Sequence, residues 1–294
     1  MINHLVTQLL TNMAQFKQVT IVGLGLIGGS LGMAIRRRRV AGRVVGLSRS
    51  MATVRAAKRR GAIDAGTTDA KQAVRDADVV IIATPVGAIV SQAKRLAPLM
   101  KPGAVITDVG STKAEIVKAL EGALPNRVAF VGAHPLAGSE QQGISAAQAD
   151  LFHDSACVLT ATRRTDRKAL RRVDALWRAV ARQVVVLPPD AHDRALAAVS
   201  HLPHLLAFCL IDATDGNALA LAPRSFLEAT RVAKSDPDLW DDILLSNRRA
   251  LVQALDRLGR HCCRARSLLL DGKRGALKQF LRRSQRRRRA MRDD

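Results

Sequence analysis

The chain has 294 residues, 48 % of them hydrophobic, which is enough for one large domain or two ordinary ones with a genuine core. No run of about 18 uninterrupted apolar residues occurs, which argues against a membrane-spanning helix, and the N-terminus lacks the basic start, apolar stretch and small-residue cleavage site of an export signal. The formal net charge of +22 is partly clustered, at Arg36 to Arg39, Arg163-Arg164, Arg171-Arg172 and Arg282 to Arg289. It fits a polyanion surface, a solvated arginine-rich face, or a field that draws an anionic substrate and a phosphate-bearing cofactor. Aromatic residues for stacking on bases are only 3 % and no nucleic-acid motif accompanies the charge, so weak, non-specific nucleic-acid binding by the tail is all that is expected. Cys157, Cys209, Cys262 and Cys263 form no paired C-x-x-C pattern, which predicts reduced thiols in a cytoplasmic chain and no metal.

Residues 1–17 read as a short amphipathic extension, with Leu5, Leu9, Leu10 and Met13 at helical spacing. From Gln18 the pattern becomes strand, turn, helix. Val19-Thr20-Ile21-Val22 is an apolar strand, followed by a glycine turn and a helix to about Arg37, whose arginines complement the helix dipole at its C-terminal end. Val44 to Leu47 reads as the next strand and Ala52 to Arg60 as a helix ended by Gly61. Asp78 to Ala83 is a buried strand stopped by Thr84-Pro85. Further strands are predicted at Ala104–Asp108, Val128–Val131, Cys157–Thr160 and Val184–Leu187. Strands alternating with helices predict a parallel sheet covered on both faces, with ligands outside the carboxyl ends of the strands. Thr84, Ser111 and His134 each follow a strand directly and should share that rim.

The texture changes at Pro188-Pro189. Helical patterns follow at Ala191–Ser200, Pro203–Ala213, Ser225–Lys234 and Pro237–Gly259, with further pieces to about Leu281. The reading is an extension (1–17), a dinucleotide-binding domain (18–188), a helical domain (189–281) and a basic tail (282–294) without periodicity and expected to be disordered.

The glycine turn carries the first chemistry. Gly23-Leu24-Gly25-Leu26-Ile27-Gly28 follows a strand and opens a helix, the context that makes G-x-G-x-x-G informative. Gly23 permits the tight turn, Gly25 lets the pyrophosphate approach the backbone, and Gly28 allows close helix–strand packing. The free N–H groups at Leu26 and Ile27 and the positive helix end suit a phosphate. The second strand lacks the acidic residue that binds the ribose of NAD and reads Ser48-Arg49-Ser50 instead. A hydroxyl and a guanidinium suit a 2′-phosphate, so NADP is favoured over NAD. Thr84 and Pro85 should border the same cofactor.

Five motifs occur in order: Gly-Leu-Ile-Gly-Gly-Ser (25–30), Asp-Val-Gly-Ser-Thr-Lys (108–113), His-Pro-Leu-Ala-Gly-Ser-Glu (134–140), Ser-His-Leu-Pro-His (200–204) and Thr-Arg-Val-Ala-Lys-Ser-Asp-Pro-Asp-Leu-Trp (230–240). Over roughly residues 19–260 the chain resembles the prephenate/arogenate dehydrogenase family of tyrosine biosynthesis. The resemblance implies an α/β Rossmann-type N-terminal domain, an all-helical C-terminal dimerisation domain, a homodimer, and a site between the domains. It also implies oxidative decarboxylation of prephenate or arogenate with reduction of NAD(P)+, which needs a neutral histidine base.

By motif position the resemblance makes His134 the base. Ser111 would orient its ring or share its contact with the substrate hydroxyl. Arg231 would clamp a carboxylate, His204 and His201 would meet the substrate side chain, and Trp240 would pack at that end as ligand wall or as core. Glu140 and Lys113 support the site, Asp236 fixes Arg231, and His192 near the domain joint is either structural or functional. The chain departs from the family at Ala222-Pro223-Arg224-Ser225-Phe226, where a glycine-rich run is usual, and Arg224 adds a cation there.

Overall fold

The computed structural model describes residues 15–139 and 141–291. The helical extension expected over 1–17 lies outside these residues except at its end. There Phe16 and Lys17 join the first strand: the Phe16 N–H reaches the Val40 carbonyl (3.2 Å) and the Lys17 N–H the Asp78 carboxylate (2.6 Å).

Among the described residues eight strands form one sheet in the order β3-β2-β1-β4-β5-β6-β7-β8. They are β1 Phe16–Val22, β2 Ala41–Leu47, β3 Ala65–Thr67, β4 Val79–Ile82, β5 Ala104–Asp108, β6 Val128–Pro135, β7 Ala156–Thr160 and β8 Gln183–Leu187. The first six are parallel in the 3-2-1-4-5-6 order of a dinucleotide-binding sheet, whose ligand crevice opens where the order reverses, between β1 and β4. Six helices belong with the sheet: α1 Leu26–Arg37, α2 Met51–Arg59, α3 Ala70–Val74, α4 Val86–Leu96, α5 Ala114–Leu120 and α6 Arg167–Arg178. Side chains along β4 alternate between its two faces, Val79 and Ile81 packing with Leu31, Ile35 and Trp177, and Val80 and Ile82 packing with Ile89, Leu96 and Ile106. That double burial is why this strand is apolar without interruption.

The sheet departs from the all-parallel expectation at one seam, where β7 runs antiparallel to β6. Among the described residues of the connection 136–155 there is only the short 3₁₀ turn Ile144–Ala146 and no crossover helix, so the chain returns against β6. β8 then pairs parallel to β7 across α6. The antiparallel partner lengthens β6 beyond the predicted Val131. Its first half pairs with β5, and Gly132 to Pro135 pair with Thr160 to Cys157. His134 is therefore held in a strand, not on a loop.

Past Leu187 the described chain is helical: α7 Pro189–Leu196, a π-helical turn Ala197–His201, α8 Leu202–Asp212, α9 Gly216–Leu219, α10 Arg224–Ala229, a 3₁₀ turn Arg231–Lys234, α11 Pro237–Ser246, α12 Arg248–Leu270 and α13 Arg274–Arg289. Residues 189–212 form the one stretch among the described residues long and apolar enough to cross a membrane. Its His192, Asp193 and His201 are nonetheless buried against the protein. The helical part has a small core of its own, centred on Leu202, Leu251 and Ala254, and leaves Val199, Leu221, Leu227, Leu245 and Val252 exposed. It docks on the sheet through α11, where Trp240 and Ile243 enter the core beneath α4 and the Gly87 N–H donates to Asp242 (2.7 Å).

The disorder expected from Arg282 is corrected: α13 continues to Arg289. Arginine, lysine, glutamine and leucine are all good helix formers. Leu277 and Phe280 are half-buried on a helix that packs against α12, and the terminal arginines complement the dipole.

Candidate active site

At the end of β1, Gly23 has φ +94°, and a Cβ there would meet the Ala83 carbonyl oxygen at 2.5 Å. A Cβ on Gly28 would stand 2.0 Å from the Gly23 carbonyl oxygen. Both positions are closed by packing. Gly25 differs, for its Cβ would meet nothing within 4 Å. Open space at this one glycine, in front of the uncapped N–H groups of Leu26 and Ile27, is what a pyrophosphate needs. Across the crevice Thr84 follows β4, and its buried hydroxyl has no hydrogen-bond partner among the described residues. Pro85 then caps α4. The turn and Thr84 fit a dinucleotide. At the end of β2, Ser48 is half-buried and Arg49 is exposed, while the Ser50 hydroxyl is committed to capping α2 through the Ala52 N–H (3.1 Å).

The rim carries a chain of buried polar groups. His134 Nδ1 lies 2.9 Å from His192 Nε2, and His192 Nδ1 lies 2.7 Å from Asp193 Oδ1. The Asp193 carboxylate also accepts from the main-chain N–H groups of Lys113 and Ala114, both at 2.8 Å, and so caps α5 from another segment of the chain. These bonds fix the tautomers. The ionised Asp193 accepts, so His192 donates from Nδ1 and accepts at Nε2. His134 must then donate from Nδ1, which leaves the lone pair on its Nε2.

Asn247, between α11 and α12, extends the chain. Its side-chain amide donates to the Asp193 carbonyl (2.7 Å) and sits 3.0 Å from His201 Nδ1. His201 Nε2 is buried without a hydrogen-bond partner among the described residues, although the Ser111 main chain lies near enough to favour the charged ring. Ser246 Oγ donates to Thr112 Oγ1 (3.0 Å), tying α11 to the loop that carries Ser111.

Burial holds the His134 pKa well below the ordinary histidine range, helped by His192, Lys113 and His201. Burial also brings His201 down to about 4, against the pull of Asp193, and lowers His204, with Arg231 adding to the effect. The Asp193 pKa is lowered: burial works against this, and the hydrogen bonds from His192, Ala114 and Lys113 outweigh it. The rings are thus neutral and the carboxylate charged at neutral pH. Lys113 and Asp108 form a fully buried ion pair, with Asp108 also accepting from the N–H groups of Gly110 (2.9 Å) and Ala133 (3.1 Å).

The expected site residues come together unevenly. His134, His201, His204 and Trp240 gather: the His204 ring stacks on Trp240 at 3.7 Å, and His201 meets the indole edge-on at 6.2 Å. Trp240 is both core and wall. Arg231 is close enough to His204 to depress its pKa and lines a groove of about 730 Å³ with Phe208, Cys209, Leu227, Thr230 and Lys234. Ser111 is half-buried on the rim, but the ring-orienting contact on His134 is made by His192. Lys113 serves through Asp108, and its main chain through Asp193. Asp236 caps α11 through the Asp238 N–H (3.0 Å) and accepts from Gln142 (2.7 Å). Arg224 faces solvent beside Glu228 (2.7 Å), away from the groove. Glu140 lies outside the described residues.

Asp193 and Asn247 were not picked out from the sequence, and His192 was left open. The one available signal was an adjacent His-Asp pair in the first turns of the helix after Pro188-Pro189. Nothing local marks Asn247.

A glycine turn of this geometry at the reversal point of a parallel sheet, with a buried neutral histidine on the same rim, defines a dinucleotide-dependent dehydrogenase. The comparisons narrow it. The family model described as prephenate dehydrogenase, nucleotide-binding domain, matches residues 31–199, and that for the prephenate dehydrogenase dimerization domain matches 188–283. The chain belongs to the prephenate dehydrogenase family of NAD(P)-dependent oxidoreductases. It is 34 % identical over 289 residues to a cyclohexadienyl dehydrogenase of Zymomonas mobilis, covering 96 % of this chain and 98 % of that one. Among solved structures it is similar to a prephenate dehydrogenase from A. aeolicus in complex with hydroxyphenyl propionate and NAD+ (TM-score 0.86, 32 % identity, 92 % of this chain and 97 % of that one). It is also similar to Synechocystis arogenate dehydrogenase (TM-score 0.80, 30 % identity, 92 % and 98 %).

Two outcomes test this geometry. Gly25→Ala should leave the melting temperature within about 2 °C of the parent while dinucleotide affinity falls at least tenfold, because its Cβ fills open space. Gly28→Ala should instead lose about 2 kcal/mol or more of stability, because its Cβ collides with backbone. Equal melting temperatures for the two variants would contradict the packing described. The second outcome concerns acid. A histidine whose folded pKa is depressed binds fewer protons folded than unfolded, so its contribution is complete above the unfolded value and is lost as pH falls. For His201 the window runs from 6.5 down to about 4 and corresponds to about 3 kcal/mol. The urea midpoint should therefore drop steadily between pH 7 and 4.5; a flat midpoint would mean the buried rings carry charge in the fold.

Proposed function

We propose that this chain catalyses the oxidative decarboxylation of prephenate to 4-hydroxyphenylpyruvate with reduction of NAD(P)+, in the cytoplasm, as part of tyrosine biosynthesis. The observation that carries the assignment of roles is the neutral, buried His134, whose Nδ1 is occupied by His192 and whose Nε2 has no hydrogen-bond partner among the described residues, on the same rim of the sheet as the glycine turn. A bound dinucleotide supplies a hydride acceptor for the ring carbon that bears the 4-hydroxyl. His134 Nε2 takes the hydroxyl proton, the base role of a histidine kept uncharged by burial. Carbon dioxide leaves as the ring becomes aromatic, its electron pair passing to the 4-oxygen, which takes a proton back to become the phenol. Ser111 shares the hydroxyl contact, Arg231 holds a carboxylate of the substrate, and His204, stacked on Trp240, meets the side chain with His201 behind it.

NADP is the preferred cofactor in this reading. The end of β2 offers the exposed Arg49 and the half-buried Ser48, and no carboxylate, to the ribose. A homodimer is proposed through the helical domain, whose exposed Val199, Leu221, Leu227 and Leu245 need cover. The similarity to a cyclohexadienyl dehydrogenase supports arogenate as a second substrate. The arginines of α13 give at most weak, salt-sensitive contact with nucleic acid.

The test follows reduced-nicotinamide absorbance with prephenate or arogenate and NAD or NADP. Turnover with prephenate and a lower KM for NADP than for NAD is expected, and no turnover with any of the four pairs would overturn the reading. In the same assay His134→Asn should lower kcat by about 10²–10⁴-fold with unchanged dinucleotide affinity. Undiminished kcat would remove His134 from the base role.

A further inference from the structure

The second nitrogen of His134 is served by a different part of the chain. His134 lies in β6, whereas His192 and Asp193 lie in α7, at the start of the helical region. All three are nearly or fully buried, at 9 %, 0 % and 4 % exposure. Their hydrogen bonds run unbroken, at 2.9 and 2.7 Å, to a carboxylate anchored by two main-chain N–H groups. A histidine oriented by a neutral amide would keep the proton it receives. A histidine oriented by the ring nitrogen of another histidine can hand one on, and this chain ends on a carboxylate.

We propose that the base is a two-histidine unit in which His192, acting through His134, receives a proton during the reaction and holds it against Asp193. The step balances as follows. The substrate hydroxyl proton passes to His134 Nε2. The proton on His134 Nδ1 passes to His192 Nε2. His192, which already carries a proton on Nδ1, becomes an imidazolium hydrogen-bonded to the Asp193 carboxylate, and His134 ends neutral as its other tautomer. The positive charge comes to rest one ring deeper than the substrate. The reverse transfers reset the unit when loss of carbon dioxide puts an electron pair on the 4-oxygen and the substrate-side proton of His134 returns to it, giving the phenol, so that no net proton is released.

The charged groups around the unit favour that direction. His134 faces the Lys113 ammonium from the start of α5 and His201 from the π-helical turn, both of which disfavour charge on its own ring. Asp108 in β5 is already paired with Lys113, and the Cys157 thiol in β7 is held protonated by burial. Among the described residues, the carboxylate hydrogen-bonded to the unit is Asp193, and it touches His192.

This inference rests on the base role given to His134, and the experiment separates the two. His192→Gln can keep an acceptor near the His134 Nδ1 proton but cannot take that proton. With prephenate and NADP or NAD, its kcat should fall about 10²-fold, with KM within threefold and dinucleotide affinity unchanged. The acidic limb of the kcat profile should move. The dependence of kcat on deuterium fraction in the solvent, bowed for two protons in the parent, should become linear. A kcat within threefold of the parent with the same acidic limb would overturn the relay, while an inactive His134→Asn in that experiment would leave the base role standing. Should His134→Asn prove fully active, both fall. If His192→Gln does not fold, ¹⁵N spectra of the parent decide: the relay requires an unprotonated Nε2 on both His134 and His192, and a protonated Nε2 on either in the free enzyme would overturn it.

Discussion

The buried carboxylate of Asp193 accepts three hydrogen bonds, from the main-chain N–H groups of Lys113 and Ala114 and from the His192 ring. Each satisfies a group that would otherwise be costly to bury. The two N–H groups are orphans at the start of α5, and the imidazole has no water to bond. In return they hold the carboxylate ionised in a place where burial alone would neutralise it. The loop after β5, the helical segment after Pro189 and the ring that orients His134 all meet at this one group. Geometry at the rim is consequently set by the docking of the helical segment on the sheet, and not by β6 alone. Asn247 reinforces the same joint through the Asp193 carbonyl and His201.

The dinucleotide turn obeys a different constraint. At Gly23 and Gly28 neighbouring backbone excludes any side chain, while at Gly25 the space is open. The first two glycines are needed to build the fold and the third to leave room for what binds. That division accounts for a turn that was plain in the sequence. It consists of local backbone requirements, which leave a local mark at fixed spacing. The apolar strands were legible for a related reason. Val79 to Ile82 must be apolar at every position because both faces are covered.

What the sequence hid was non-local. Ala65–Thr67 is a strand because β2 offers it an edge, and three residues with a glycine in the middle carry no pattern of their own. The reversal at β7 depends on what the 136–155 connection lacks, and its strand reads as apolar in either direction. The basic end of the chain reads as unstructured by charge, yet its arginines are good helix formers and two apolar side chains suffice to lay it on α12. In the site, His134, His204 and Arg231 stood in recognisable motifs. His192, Asp193 and Asn247 acquire meaning only from partners 46 to 80 residues away. Each of them is a common residue type in an unremarkable helix.

The balance of buried charge explains why such a joint suits a base. Lys113 and Asp108 cancel each other. Asp193 remains as a fixed anion, tempered by the N-terminal end of α5, and burial keeps the His134 and His201 rings uncharged. Among the described residues, no side chain is hydrogen-bonded to the remaining lone pair of His134. In the relay proposed above, the arriving proton would turn the Asp193 anion and the His192 ring into an ion pair, so that the buried site moves toward neutrality and not away from it. A lone buried histidine would have to gain a charge in a medium that resists one. The exposed arginines outside supply long-range attraction for anions, while the buried charges of the site are the Lys113–Asp108 pair and the Asp193 carboxylate. The two arrangements do not conflict, because salt screens the exposed charges over about 10 Å.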